Sequence, residues 1–293
     1  MATGETSAEN AERSLYQDHN RLFAGHRFVY PVVSRRSHGV SIGVNLNPDK
    51  VCNFDCIYCQ VDRRSEAETR FVETQQLYQE LREVLLAAIS GELFQVEKFR
   101  RTPMHLRRVN DIAFSGDGEP TTFRNFDDIV EQCVKIRNEV ASDDIRMVLI
   151  TNASMFHREH VRRGLKCLRS SNGQIWAKLD AGTEEYYRLV DRTRIPFQQI
   201  LDNIRDAAIT GPVVIQSLFM NVNGEPPVKQ EIDAYCERLA EIVRAGGQID
   251  LVQIYTVVRQ PAESFVTPLH QSELDSIAES VLQRTGLSTA VFT

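Results

Sequence analysis

A chain of 293 residues with 42% hydrophobic residues is long enough for a large core, as one α/β barrel or as two smaller units. A net charge of −6 excludes a protein that is a nucleic-acid-binding polycation as a whole and leaves that role to local basic patches. No apolar run approaches the roughly 20 residues of a membrane helix, Met1 to Glu12 lack the hydrophobic core of a signal peptide, and six cysteines are too few for a disulfide framework. The expectation is a cytoplasmic protein with no membrane partner.

In chain order, residues 1–25 read as a disordered or extended head, and 26–293 as a single domain with a C-terminal extension. Residues 26–44 hold two β-prone runs separated by a polar turn. The second, Val40 to Val44, leads straight into V-C-N-F-D-C-I-Y-C-Q. Thr74 to Ile89 is helical in pattern, with Leu77, Leu81, Val84, Leu85, Ala88 and Ile89 on one face. An extra segment, Gly91 to Asn110, lengthens the first interval. Further strands are predicted at Asp111 to Phe114, Met147 to Ile150, Gln174 to Leu179, Val213 to Met220 and Asp250 to Val257. Helices are predicted between them at Asn125 to Val140, Arg158 to Leu168, Pro196 to Ile209 and Lys229 to Ala245.

Strands that alternate with helices predict βα units and a parallel sheet. Right-handed units that keep curling one way close part of a barrel. The expected fold is therefore α/β, a partial (β/α)6 barrel of TIM-barrel type with outer helices, and a doubly wound sheet is the rival. In either case the chemistry belongs at the carboxyl ends of the strands. The residues there are the cysteine loop, S-G-D-G-E-P, T-N-A, K-L-D-A, M-N-V-N-G and the stretch around Y-T-V-V-R, which together make a polar rim.

Cys52, Cys56 and Cys59 form a C-x3-C-x2-C triplet in one loop with no fourth cysteine nearby. Three thiolates can hold three irons of a cubane cluster and leave the fourth open to a ligand. A zinc site is the alternative: His38, fourteen residues before Cys52, would complete a Cys3His set and make the chain a non-catalytic structural module. Tyr58, before the last cysteine, is expected to lie against the metal centre. Cys133 and Cys236 fall on apolar helical stripes, the latter with Ile232, Tyr235, Leu239 and Val243. These two and Cys167 read as packing residues.

The turn Ser115-Gly116-Asp117-Gly118-Glu119-Pro120 offers glycines that let a backbone approach a ligand, and a Glu119 carboxylate able to accept from an ammonium. Asn152 can bond sugar hydroxyls or cap a helix. Lys178 and Asp180, two apart, face the same way, either as functional groups or as a salt bridge. Two basic stretches, 97–108 and 162–169, could steer RNA or stand as solvated surface.

The triplet, the G-D-G-E turn and the βα repeats together resemble the radical S-adenosylmethionine superfamily over roughly Val40 to Val258. G-D-G-E stands where the family usually has a G-G-E motif, with Asp117 as the departure. The runs S-R-R-S-H-G-V-S-I-G-V-N, K-L-D-A and V-Q-I-Y-T-V-V-R-Q-P-A-E-S are similar to an iron–sulfur oxidoreductase branch related to the wyosine-synthesis enzymes of tRNA. Those enzymes carry additional N-terminal cysteines, whereas here none precedes Cys52. The resemblance implies one [4Fe–4S] cluster on Cys52, Cys56 and Cys59 and S-adenosyl-L-methionine as cofactor. It further implies an external electron donor of flavodoxin or ferredoxin type and a substrate that includes RNA among its candidates. Gly116, Asp117, Gly118 and Glu119 would bind the methionine ammonium. Asn152, Lys178 and Asp180 would contact ribose or carboxylate, Tyr58 would line the cofactor site, and Gln253 to Val257 would offer backbone to adenine. An activase that places a glycyl radical on a partner protein is a further possibility within that resemblance.

Overall fold

The computed structural model describes residues 23–293 apart from 24, 64 and 68, so most of the head predicted over 1–25 lies outside the described residues. The chain opens with a hairpin of β1 (Val29–Ser34) and β2 (Gly39–Val44), antiparallel to each other. The cysteine loop follows, then α1 (Thr74–Ser90), the one-turn α2 (Glu97–Arg100) and β3 (Val109–Phe114). Next come α3 (Phe126–Val140), β4 (Arg146–Thr151), α4 (Glu159–Arg169), β5 (Gly173–Lys178), α5 (Glu184–Asp191), α6 (Phe197–Thr210) and β6 (Val213–Leu218). The remainder is β7 (Met220–Val222), α7 (Lys229–Arg244), β8 (Ile249–Tyr255), β9 (Val266–Pro268), α8 (Gln271–Thr285) and β10 (Thr289–Phe292).

Eight strands form one sheet in the order β1-β2-β3-β4-β5-β6-β8-β10, parallel throughout except for β1. The sheet curls into a half-barrel, as the βα alternation predicts. Strand geometry sends alternate side chains to opposite faces, and the sequence uses the two faces differently. Ile112, Phe114, Met147, Leu149, Ile175, Ala177, Ile215, Val252 and Ile254 point outward into a large core shared with the helices. Each fully buried aliphatic or aromatic side chain of this set contributes about 1.5–3 kcal/mol. Asp111, Ala113, Trp176, Lys178, Gln216 and Tyr255 point inward and line a lumen. The outer layer therefore supplies the stability, and the inner face is free to carry polar groups.

Two polar anchors fix the frame. Glu80 of α1 is buried, and its carboxylate accepts the backbone N–H groups of Arg27, Phe28 and Val29 at 2.8–3.0 Å, which pins the entry to β1. Arg137 of α3 is buried as well, and its guanidinium donates to the carbonyls of Ile145 and Ser171 at the starts of β4 and β5.

The structure adds to the expected elements and corrects some of them. β10 extends the parallel set beyond the six predicted strands, and α5 and α8 were not anticipated. The run Val213 to Met220 divides at Phe219. Its continuation β7 pairs with β9 in a separate two-stranded sheet, so M-N-V-N-G leaves the rim. Ile89 is 52% exposed rather than on the buried face of α1, and Val243 is 39% exposed while Ile242 takes the buried position. Cys133 and Cys236 are buried in the core, and Cys167 packs against it.

Candidate active site

The half-barrel encloses a cavity of about 300 Å³. Cys52, Cys56 and Cys59 open onto it beside Gly116, Asp117, Gly118, Glu119, Asn152, Lys178 and Tyr58, so residues from the ends of β2, β3, β4 and β5 meet in one space. Asp180 stands behind Lys178 and is itself buried.

The cysteine loop is held on three sides. Asn53 accepts from the Asn152 amide at 2.8 Å and donates to the Ser154 hydroxyl at 2.7 Å, which ties the loop to the end of β4. The backbone N–H groups of Asp55 and Ile57 donate to the carbonyls of Asp191 and Val190, and the Thr193 hydroxyl donates to the Asn53 carbonyl. These bonds tie the loop to the end of α5. Tyr58 donates from its hydroxyl to Asp180, and that oxygen also lies 3.1 Å from Asp191 Oδ1. The Cys56 thiol donates to the same Asp191 oxygen at 3.3 Å.

The third fastening is steric. A Cβ on Gly118 would stand 2.2 Å from the Val51 carbonyl oxygen, and one on Gly116 would stand 2.2 Å from Asn45 Oδ1. The glycines are therefore required because the cysteine loop lies directly against the turn. Asp117 completes the joint: Asn45 donates from its amide to Asp117 Oδ2 at 2.7 Å and accepts the Asp117 N–H at 3.2 Å. Glu119 is 2% exposed, and its carboxylate takes the Thr121 N–H and hydroxyl, the Thr151 hydroxyl and the Asn152 N–H. Burial pushes this carboxyl above its ordinary value, against those four donors. Its oxygens accept from Thr121, Thr151 and Asn152 and so fasten the turn to β4.

Lys178 and Asp180 form the ion pair foreseen as one alternative, with Nζ 3.2 Å from Oδ2. Lys178 also donates to the Tyr255 hydroxyl at 2.8 Å and lies 5.0 Å from the centre of the Tyr58 ring. Burial would lower the Lys178 value, but the Asp180 carboxylate and Tyr255 outweigh it and hold the ammonium charged. Asn152 caps no helix, since its side chain is spent on Asn53 and on the Ser154 N–H.

Among the described residues, no three His, Cys, Asp or Glu side chains converge as a single metal ion requires. A mononuclear zinc needs all its thiolates at about 2.3 Å from one point. A cubane cluster instead takes each thiolate on a different iron. His38 is exposed in the β1–β2 turn, at the far end of β2 from the cysteine loop. Six strand residues at about 3.3 Å each put roughly 20 Å between them, so the Cys3His zinc set is not assembled. The three thiols do share Arg63. Partial burial opposes the charge of this guanidinium, and thiolates at Cys59, Cys52 and Cys56 would outweigh that effect and favour it. The donor set thus fits a cluster with a cation at its side.

Neither basic stretch lines the cavity: Arg107 bonds the carbonyls of Thr102 and Arg100, Arg163 pairs with Asp127, and Arg169 bonds the Ala207 carbonyl. Sequence reasoning missed Asn45, Asn53, Arg63 and Asp191. Asp191 carries a readable signal, a carboxylate on the buried stripe of Tyr187 and Val190.

A family model described as the Radical SAM superfamily matches residues 46–235. Among curated sequences, a protein of Brachyspira hyodysenteriae named GTPase Obg is 25% identical over 85% of this chain and 32% of its own length. A UPF0026 protein of Methanocaldococcus jannaschii is 26% identical over 81% of this chain and 65% of its own. The chain thus spans about a third of the first relative and just under two thirds of the second. Among solved structures, TYW1 with a lysine–pyruvate adduct bound aligns at a TM-score of 0.51 and 17% identity, covering 93% of this chain and 80% of that one. Streptococcus suis SuiB bound to S-adenosylmethionine aligns at 0.54 and 11%, covering 88% and 49%. These two share the fold, and no helix among the described residues is long and apolar enough to cross a membrane. With three cysteines at the end of β2 facing a glycine turn at the end of β3, the chain belongs to the Radical SAM superfamily, whose members are iron–sulfur enzymes of radical chemistry.

Proposed function

We propose that residues 26–293 act as one catalytic unit in which Cys52, Cys56 and Cys59 hold a single [4Fe–4S] cluster and the G-D-G-E turn receives S-adenosylmethionine. The observation that supports this reading is that Cys52, Cys56 and Cys59 line one cavity together with Gly116, Asp117, Gly118 and Glu119. When bound, such a cluster with one open iron supplies the electron that splits S-adenosylmethionine into methionine and a 5′-deoxyadenosyl radical, which takes hydrogen from the substrate. The protein's own residues bind, orient and exclude water. Gly116 and Gly118 bring main-chain carbonyls to the methionine ammonium, and Glu119 and Asp117 hold that turn in place. Lys178 presents a fixed positive charge for a carboxylate, and Asp180 keeps it protonated. Asn152 holds the cysteine loop at a ribose-facing position. The strand residues from Gln253 onward offer backbone to adenine. Electrons enter from an external donor of flavodoxin or ferredoxin class.

The test is anaerobic reconstitution followed by iron analysis and product chromatography. About four irons per chain and reductant-dependent formation of 5′-deoxyadenosine from S-adenosylmethionine are expected. A colourless protein that holds one zinc and yields no deoxyadenosine would overturn the reading.

A further inference from the structure

The run S-R-R-S-H-G lies in the β1–β2 turn, away from the cysteines, and the chemistry above makes no use of it. Arg36 leaves that turn and enters the lumen, where its guanidinium carbon stands 5.2 Å from the centre of the Tyr255 ring and 5.8 Å from that of Trp176. Among the described residues it has no hydrogen-bond or ion-pair partner. The nearby carboxylate, Asp111, feels its charge but takes the Ser41 hydroxyl. The neighbouring cation, Lys178, bonds Asp180 and Tyr255, and the proposed function assigns its remaining charge to a carboxylate of the cofactor.

A second group on the same inward face is also unsatisfied. Gln216 is wholly buried and lines the cavity; its Nε2 donates to Gln253 Oε1 at 2.7 Å, while its own Oε1 has no partner. A buried acceptor left unpaired is costly, and so is a half-buried guanidinium with none of its N–H groups hydrogen-bonded. Arg36, with the faces of two rings beside it, still has its planar fork of N–H donors, which matches an oxoanion in two parallel bonds.

From this pairing we infer that the lumen floor is a substrate subsite for the oxoanion of a small molecule, a carboxylate or phosphate, that also carries an N–H or O–H donor. Arg36 takes the anion and Gln216 Oε1 takes the donor. Tyr255 and Trp176 form the wall. The inference rests on the proposed function only in treating the lumen as substrate space. A cavity of about 300 Å³ suits a small molecule, and RNA becomes an outcome of the test.

The chain has one tryptophan, Trp176, which makes the site its own reporter. The full-length protein is titrated with glycolate, acetate, glycolamide and inorganic phosphate while tryptophan fluorescence is followed, with no S-adenosylmethionine present. Saturable responses to glycolate and to phosphate are expected, the first marking a carboxylate site and the second a phosphate site, and either one supports the inference. Glycolamide, which lacks the charge, should bind at least about tenfold more weakly than glycolate. Arg36→Gln should lose about tenfold or more in glycolate affinity, and Gln216→Leu should erase the preference for glycolate over acetate. If either variant fails to fold, the glycolate and glycolamide comparison on the unaltered protein decides the matter. Equal binding of glycolate and glycolamide, unchanged affinity in a folded Arg36→Gln, or a response to a tRNA-sized RNA with none to glycolate or phosphate overturns the inference. Because no cofactor enters the measurement, its failure leaves the deoxyadenosine test standing, and the reverse also holds.

Discussion

The Glu119 carboxylate accepts the amide N–H of Asn152 at 2.7 Å, so the turn after β3 is fastened to the chain leaving β4. Two residues read from the sequence as separate ligand contacts are one joint. Glu119→Gln would turn an amide N–H₂ toward donors that need an acceptor. A loss of about 1–3 kcal/mol in unfolding free energy is expected, measured by urea denaturation. Unchanged stability with abolished S-adenosylmethionine binding would instead make Glu119 a ligand contact.

Gly118→Ala tests the steric joint between turn and loop. The added Cβ would meet the Val51 carbonyl at 2.2 Å, and a backbone atom cannot swing away as a side chain can. Overpacking of this kind costs about 1–3 kcal/mol, and here the strain falls on the segment that carries Cys52. The melting temperature and the iron retained after anaerobic reconstitution should fall together. An alanine variant with full iron content and unchanged melting would show that the loop does not bear on this turn.

The cysteines should divide by place in the fold. Cys52→Ala, Cys56→Ala and Cys59→Ala should each lower iron content and remove deoxyadenosine formation while leaving the unfolding midpoint near that of the parent. Cys133→Ala, on α3 and buried in the large core, should do the reverse, with a stability cost of about 1 kcal/mol and iron unchanged. Loss of iron in Cys133→Ala would contradict the division.

The alternation of strands with helices from β3 to β8 was legible because strand runs of branched residues are local patterns, as is a cysteine triplet within eight residues. The pieces that were not legible are those that distance brings together. Cys56 meets Asp191 across 135 positions and Asn53 meets Asn152 across 99, and no local period announces either. β10 was missed because T-A-V-F is short and only partly buried, so its pattern is weak until β8 pairs with it. Ile89 was misplaced because a helical stripe read from the sequence does not reveal where the neighbouring layer ends. The glycines of the turn were recognised as points of close approach, but no local pattern shows that Asn45 and Val51 press against them.

Asp111 on the lumen face supplies a pH test. Burial pushes its carboxyl above the ordinary value, against the Ser41 hydroxyl and the charges of Arg146 and Arg36, which favour the ionised form. The folded chain therefore binds this proton more tightly than the unfolded chain. As pH rises from the unfolded value, roughly 3.9, to the raised folded value, folding takes up a proton, and this residue's contribution to stability declines. Below that window the carboxyl is protonated in both states and costs nothing. Asp111→Asn removes the charge while keeping an oxygen for the Ser41 hydroxyl. It should stabilise the fold at neutral pH, with the gain shrinking as pH falls through the window and vanishing beneath it. Urea midpoints measured from pH 7 downward for both proteins check this. A gain that does not change with pH would mean that packing, and not the buried charge, is responsible.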